Sequence, residues 1–334
     1  MKENIIFGSY QRGIYMLRFD TDSGHLSEPF LLTDVDSATY FDISNTGTVY
    51  TAIAEKSMGG VGVFDLKNKT LHNLTKHLSF SPAPVHINIQ GALLLASNYN
   101  GGSLNIYKLS SNNYLELSDT FINAGTGTLP QQNTSHIHFA GIMPDKRLIV
   151  LDLGTDEAII FDISESGKLL NRVNVFKFPN GFGPRHLCVT NDNHHVIVLG
   201  ELSSEVAVLS YVEGSLVLEQ LVSTIPDQWV GENGCGGIKL SFDQKFLYVS
   251  NRGHDSISVF KLEYTSSNLK LNLIQNISSF GMFPRDISCD TSGEYLFSAN
   301  QKSNSISMFK VLDGRLEYIK TKNNLDMPVC IKFI

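Results

Sequence analysis

A single tryptophan, Trp229, stands among 334 residues, so no repeat ending in Trp-Asp runs through this chain, and Kelch and Asp-box signatures are missing as well. Cysteine is scarce. Cys188, Cys235, Cys289 and Cys330 form no C-x-x-C pair, and three of them fall inside apolar strand patterns, the setting of reduced, buried thiols. An excess of basic residues is lacking too: 26 Lys and Arg face 33 Asp and Glu, for a formal charge of −7. That balance excludes a general binder of nucleic acid or anionic membrane, although a pocket can be locally basic on an acidic protein. The N-terminal MKENIIFGSYQRG holds too short an apolar stretch for a signal-peptide core or a membrane span, so a cytoplasmic protein is expected. Helical i, i+3, i+4 stripes of useful length are absent.

What is present is a repeat of strands. A six-residue alternating segment recurs as IYMLRF from Ile14, VGVFDL from Val61, LNIYKL from Leu104, AIIFDI from Ala158, VAVLSY from Val206, ISVFKL from Ile257 and ISMFKV from Ile306. The start-to-start steps of 47, 43, 54, 48, 51 and 49 share one period, with no linker between units. All-β units of this length are propeller blades. The expected fold is therefore all-β: one domain, residues 1–334, forming a seven-bladed β-propeller with four-stranded blades. Hydrophobic content of 42% is enough to fill such a core. The first unit lacks an innermost strand, because Asn4 to Ser9 already serves as its second. MPVCIKFI at the C-terminus resembles the innermost strands GPRHLCV and FPRDIS and is expected to close the ring there, leaving no unpaired inner edge.

In a blade the start of the first strand and the end of the second lie at one end, since the two run antiparallel. At first-strand starts stand His86, His136 with His138, Arg185 with His186, and Arg285. At second-strand ends stand Glu55, Asn98 with Tyr99, Asp152, Glu201, Asn251 with Arg252, and Asn300 with Gln301. Function is thus expected at one mouth of the channel. His136 and His138, two apart in a strand, point to one side. They suit acid–base chemistry or substrate hydrogen bonding; a metal would need a third ligand that is not evident, and histidines satisfied by the backbone are the plain alternative. Arg185 and Arg285 each follow a proline and suit a phosphate or carboxylate, unless they form structural ion pairs with groups such as Asp152 or Glu201. His194 and His195 read as a solvated pair in a turn.

Through GPRH, GEL, SNRGHDS, TSHIHF, SNYNGGS and the terminal MPVCIKF, the chain resembles the lactonase family of seven-bladed propellers, which includes cytosolic 6-phosphogluconolactonases. Fungal carboxy-muconate cycloisomerases share that fold, and the resemblance implies catalytic roles for His138, Arg185, Glu201 and Arg252. The substrate-binding set expected around them is His136, His186, Arg285, Asn98, Asp152 and Gln301. Two places depart from the family pattern: Lys239 in GGIKLSF, where relatives tend to have histidine, and the blade around ATYFDIS. The implied activity is hydrolysis of a sugar-acid lactone, 6-phosphogluconolactone to 6-phosphogluconate, with no metal or cofactor. The partner expected is an anionic small-molecule lactone, without nucleic acid or membrane. A lactonising cycloisomerase, a lactonase for another carboxylic acid and a non-catalytic interaction platform are the alternatives.

Overall fold

Every one of the seven repeated segments lies in a strand, and each strand sits third from the innermost in its sheet. The computed structural model describes residues 2–67, 70–79, 82–110, 114–265 and 268–334. These residues form seven antiparallel sheets, the blades of a β-propeller, and they contain no α-helix. Blade 6 shows the pattern: inner strand Gly234–Leu240, then Phe246–Arg252, Ser256–Tyr264 and Leu269–Ser278, paired in chain order. Second strands such as His195–Gly200 and Leu148–Asp152 are buried along their whole length, as expected of a sheet covered on both faces. The outer strand Leu169–Lys177 is largely exposed instead.

The chain forms two compact units, one of Met1–Asp34, Leu187–Ser210 and Leu218–Ile334, the other of Val35–His186 and Tyr211–Val217. In the first, the C-terminal strand Pro328–Phe333 pairs antiparallel with Lys2–Ser9, from Ile5 opposite Phe333 to Ser9 opposite Pro328. The expected closure is therefore the observed one. Val329, Cys330 and Ile331 are buried, and Ile331 joins Phe7, Phe19, Phe297 and Met308 in one apolar cluster. The Ile331 amide also donates to Asp286 Oδ2 (3.1 Å) on the inner strand of blade 7. In the second unit Asp42 does the same for the Ile89 amide (2.8 Å), so a carboxylate staples one inner strand to the next.

Blade 1 departs from four uniform strands: its outer strand is split into His25–Leu26 and Phe30–Asp36. Pro29 stands at the break, where it has no amide to give to the ladder. The inner strand of blade 2 shrinks to Phe41–Ile43, in the segment that matched the repeat poorly. His195 is a correction. It is buried, with Nδ1 2.7 Å from Asp192 Oδ2 and Nε2 3.6 Å from Glu219 Oε2. The solvated-pair expectation failed because the second strand starts at His195 and turns this side chain inward. Burial pushes the Cys188 thiol up to about 11 and that of Cys289 to about 12, leaving both protonated.

Removal of Met327–Ile334 takes away three fully buried side chains, worth on the order of 5 kcal/mol together, against a typical total of about 5–15. Thermal denaturation of the truncated chain is expected to show loss of the cooperative transition near the full-length midpoint; an unchanged midpoint would contradict the closure. Burial raises the pKa of Asp192, but hydrogen bonds from Thr190, the His194 amide and His195 outweigh it and hold the carboxyl at about 2. Because the folded pKa lies below the unfolded one of about 3.9, this stabilisation is complete above pH ~4 and drains away as pH falls through ~2. Asp192→Asn should therefore flatten the acid limb of a stability-against-pH curve, read by denaturant titration at several pH values.

Candidate active site

Antiparallel register brings second-strand ends to first-strand starts: Asp152 faces Ile137, Arg252 faces Gly234 and Asn300 faces Pro284. Each compact unit carries part of the expected set.

In the unit containing Val35–His186, three histidines pack ring to ring. The His86 and His138 centroids lie 5.0 and 5.1 Å from that of His186, and all three side chains are buried. Tyr40 and Phe139 flank His86 at 4.5 and 4.7 Å. Arg185 is buried beside them, its Nη1 3.0 Å from His186 Nδ1 and 3.3 Å from Nε2. Near-equal reach to both ring nitrogens sets the guanidinium over the imidazole face, a stacking contact. The two residues expected to share a side of the strand do so: His136 stacks on Tyr99 at 4.1 Å and His138 meets the same ring edge-on at 5.8 Å. His136 is tied at both ends, Nδ1 to the Tyr99 carbonyl (3.0 Å) and Nε2 to Asn133 Oδ1 (3.3 Å), so it braces the Tyr99 turn. His86 was placed at the expected mouth but in neither the catalytic nor the substrate-binding set, and Tyr40 was not singled out. Their signal was positional, since His86 starts its inner strand as the Arg185–His186 pair starts its own.

Two of the expected ligands have their polar atoms engaged by the fold. Asp152 accepts from Asn123 Nδ2 (2.7 Å), Ser135 Oγ (2.5 Å) and the amides of His136 (2.7 Å), Gly154 (2.9 Å) and Thr155 (3.2 Å). Both its oxygens are spent on fixing the entry to the histidine strand. Asn98 donates to the Ala96 carbonyl and Ser103 Oγ inside its own hairpin. Asn251 and Asn300 repeat that bond, to Ser256 with Ser258 and to Ser305 with Ser307, because an amide at this position ties the second strand to the third.

In the other unit Arg252 is the centre. Its Nε donates to the Gly234 carbonyl (3.2 Å), and Nη2 to the Cys235 carbonyl (2.7 Å) and Glu201 Oε1 (2.9 Å). The guanidinium carbon lies 5.2 Å from the centroid of Phe283. Nη1 is left with no hydrogen-bond partner among the described residues. Glu201 is tied in through its backbone as well, its carbonyl accepting the Cys235 amide (3.1 Å). Its side chain stays 20% exposed, against 8% for Arg252, so the carboxylate is the more accessible of the pair. Gln301, buried, accepts from Arg285 Nη1 (3.4 Å), and Arg285 lies over the Tyr10 ring at 5.3 Å. Gln301 thus orients Arg285. Glu55, at the equivalent place in blade 2, is an exposed partner of Lys76 (2.7 Å).

Lys239 lies on the inner strand Gly234–Leu240. Burial works against its charge, but Asp286 together with Cys188, Cys330 and Cys289 outweighs this and raises its pKa. No group of three or more His, Cys, Asp or Glu among the described residues is arranged to hold a metal ion. A groove of about 670 Å³ lined by His77, Tyr107, Tyr114 and Ile122 contains none of the candidate residues.

Seven antiparallel blades define a class of propeller, and comparison with known proteins identifies the family. Residues 4–333 match the model of the lactonase, 7-bladed β-propeller family, and the chain belongs to that family. It is 34% identical to YwcC of Lactococcus lactis over 317 residues, 92% of each chain. It is 29% identical to the 6-phosphogluconolactonase of Bacillus subtilis over 343 residues, covering 98% of this chain and 97% of the relative. A crystal structure of a Lactobacillus plantarum protein superposes over 100% of both chains with a TM-score of 0.96 and 32% identity. These findings support a lactone hydrolase.

Asp152→Asn replaces a charged acceptor of five hydrogen bonds, and such bonds contribute about 1.5–3 kcal/mol each. The variant should melt well below the parent in a thermal scan. An unchanged midpoint would return Asp152 to the list of ligands.

Proposed function

We propose that the chain hydrolyses a sugar-acid lactone, with 6-phosphogluconolactone the substrate and 6-phosphogluconate the product. The observation that carries the reading is Arg252: three hydrogen bonds hold its guanidinium rigid while Nη1 keeps its donors unused by the described residues. A preorganised donor of this kind suits an oxygen that becomes negative during reaction. A δ-lactone is an activated ester, so a base for water and a donor for the oxyanion are sufficient machinery.

Glu201 takes a proton from water as the water oxygen bonds to the lactone carbonyl carbon. Arg252 Nη1 donates to the oxyanion so formed. Collapse of that intermediate breaks the bond from the carbonyl carbon to the ring oxygen, which receives the proton from Glu201. The product acid then ionises to solvent. Arg285, in the same unit as Arg252 and Glu201, supplies charge for the substrate's anionic group. The 29% identity to a 6-phosphogluconolactonase supports the choice of substrate.

Purified protein should accelerate 6-phosphogluconolactone hydrolysis above its spontaneous rate, followed by acid release. Glu201→Gln, which keeps shape, should lower kcat by roughly 100-fold or more, and Arg252→Lys, which loses the planar fork, by about 100- to 1,000-fold. A wild-type rate equal to the spontaneous one would end the lactonase proposal. Full activity in Glu201→Gln would exclude Glu201 as the base.

A further inference from the structure

Phe283 carries a backbone φ of +62°, in the left-handed region that a bulky residue adopts only at a cost. At the equivalent place in blade 5 the residue before the inner-strand proline is Gly183, φ +63°, for which the conformation is free of strain. The Phe283 geometry is enforced from both sides: its amide donates to Asp255 Oδ1 (2.8 Å) and its carbonyl accepts the Gln301 amide (3.1 Å). An aromatic ring is thus retained where glycine would be easier.

Two cations use that ring. Lys302 Nζ lies 4.1 Å from the Phe283 centroid and the Arg252 guanidinium carbon 5.2 Å from it. Arg252 is neutralised by Glu201, but Lys302 has neither an acidic partner nor a hydrogen bond from Nζ to any described residue. The neighbouring residue Gln301 orients a third cation, Arg285. The other carboxylate here, Asp255, spends its Oδ1 on the amides of Gly253 and Phe283. A chain of net charge −7 therefore carries a local concentration of positive charge next to its Arg–Glu pair.

We infer that Lys302, seated on the Phe283 ring that Arg252 also contacts, is the subsite for a phosphate monoester, and that it makes the protein select phosphorylated ligands over unphosphorylated ones. A phosphate oxygen accepting from Nζ would replace water on an ammonium that the fold has already placed. Phe283 holds the lysine by cation–π attraction. The inference rests on the proposed lactonase reading for its substrate, but the subsite can be measured without turnover.

Calorimetric titration of the full chain with inorganic phosphate, 6-phosphogluconate and gluconate tests it, using wild type, Lys302→Gln, Lys302→Arg and Phe283→Gly. Wild type should bind inorganic phosphate, and should prefer 6-phosphogluconate to gluconate by about 10-fold or more. Lys302→Gln should lose most of that preference while keeping the parent melting temperature, and Lys302→Arg should retain it. Phe283→Gly, relieved of the left-handed strain, should stay folded and bind phosphate more weakly. Preference undiminished in Lys302→Gln, or no preference in wild type, overturns the inference. Phosphate binding through Lys302 in a protein without lactonase activity would remove the proposed function and leave the subsite standing. Lactone hydrolysis with KM unchanged in Lys302→Gln would do the reverse.

Discussion

One backbone hydrogen bond, repeated from blade to blade, organises the rest of this molecule. In the hairpin between second and third strands, Gly102, Asp156, Ser204, Asp255 and Asn304 all adopt φ between +53° and +60°. Their carbonyls accept the amides of Asn123, Phe178, Thr224, Ser279 and Leu325, each about 2.9 Å away and each just beyond the outer strand of its own blade. The left-handed turn aims the carbonyl at the chain leaving the blade. The chain is thereby brought back across the end of the sheet, toward the start of the next inner strand.

Where the turn residue is Asp or Asn, the side chain extends the same device. Asp156 accepts the Gly183 amide (2.7 Å), Asp255 that of Phe283 (2.8 Å) and Asn304 that of Met327 (3.3 Å). Each of these amides belongs to the residue before an inner-strand proline, Pro184, Pro284 or Pro328. Asp and Asn tolerate the left-handed region and carry the oxygen that reaches these amides. Arg185 and Arg285 follow these prolines at once. Their placement is thus a consequence of how the blades are joined, and the polar groups of the strand ends divide into those that hold the joint and those left over for a ligand.

That division explains why Asp152, Asn98, Asn251 and Asn300 are engaged by the fold while Arg252 and Glu201 are the pair proposed for a site. The former groups have short donors and acceptors within their own hairpins or, for Asp152 and Asn251, also from the segments packed beside them, and a buried polar group lacking these would destabilise the chain by about 1–3 kcal/mol. Arg252 is different because a guanidinium has five N–H donors and the surrounding carbonyls and carboxylate engage only Nε and Nη2. Rigidity and unused donor capacity coincide in one side chain. That combination is what an ester-cleaving site requires of an oxyanion partner.

The strand repeat, its period, the seven blades and the closing strand were legible in the sequence, because alternation and turn chemistry are local and recur seven times. MPVCIKFI could be matched to blade 1 because that unit alone lacked an inner strand. The strand-end position of each polar residue was legible for the same reason. What the sequence could not decide was which of them would be consumed by neighbours: the five donors on Asp152, the inward turn of His195 and the packing of His86 against His186 depend on side chains far apart in the chain or on the facing of a single residue. The strained φ of Phe283 and the two cations on its ring were equally hidden, since Asp255, Gln301 and Lys302 act on it from separate segments. The sequence by itself determined the blades and the end of each blade where polar residues gather, through short-range periodicity; tertiary structure alone decided which of those residues kept hydrogen-bonding capacity for a ligand, because that capacity is what remains after distant segments have taken their share.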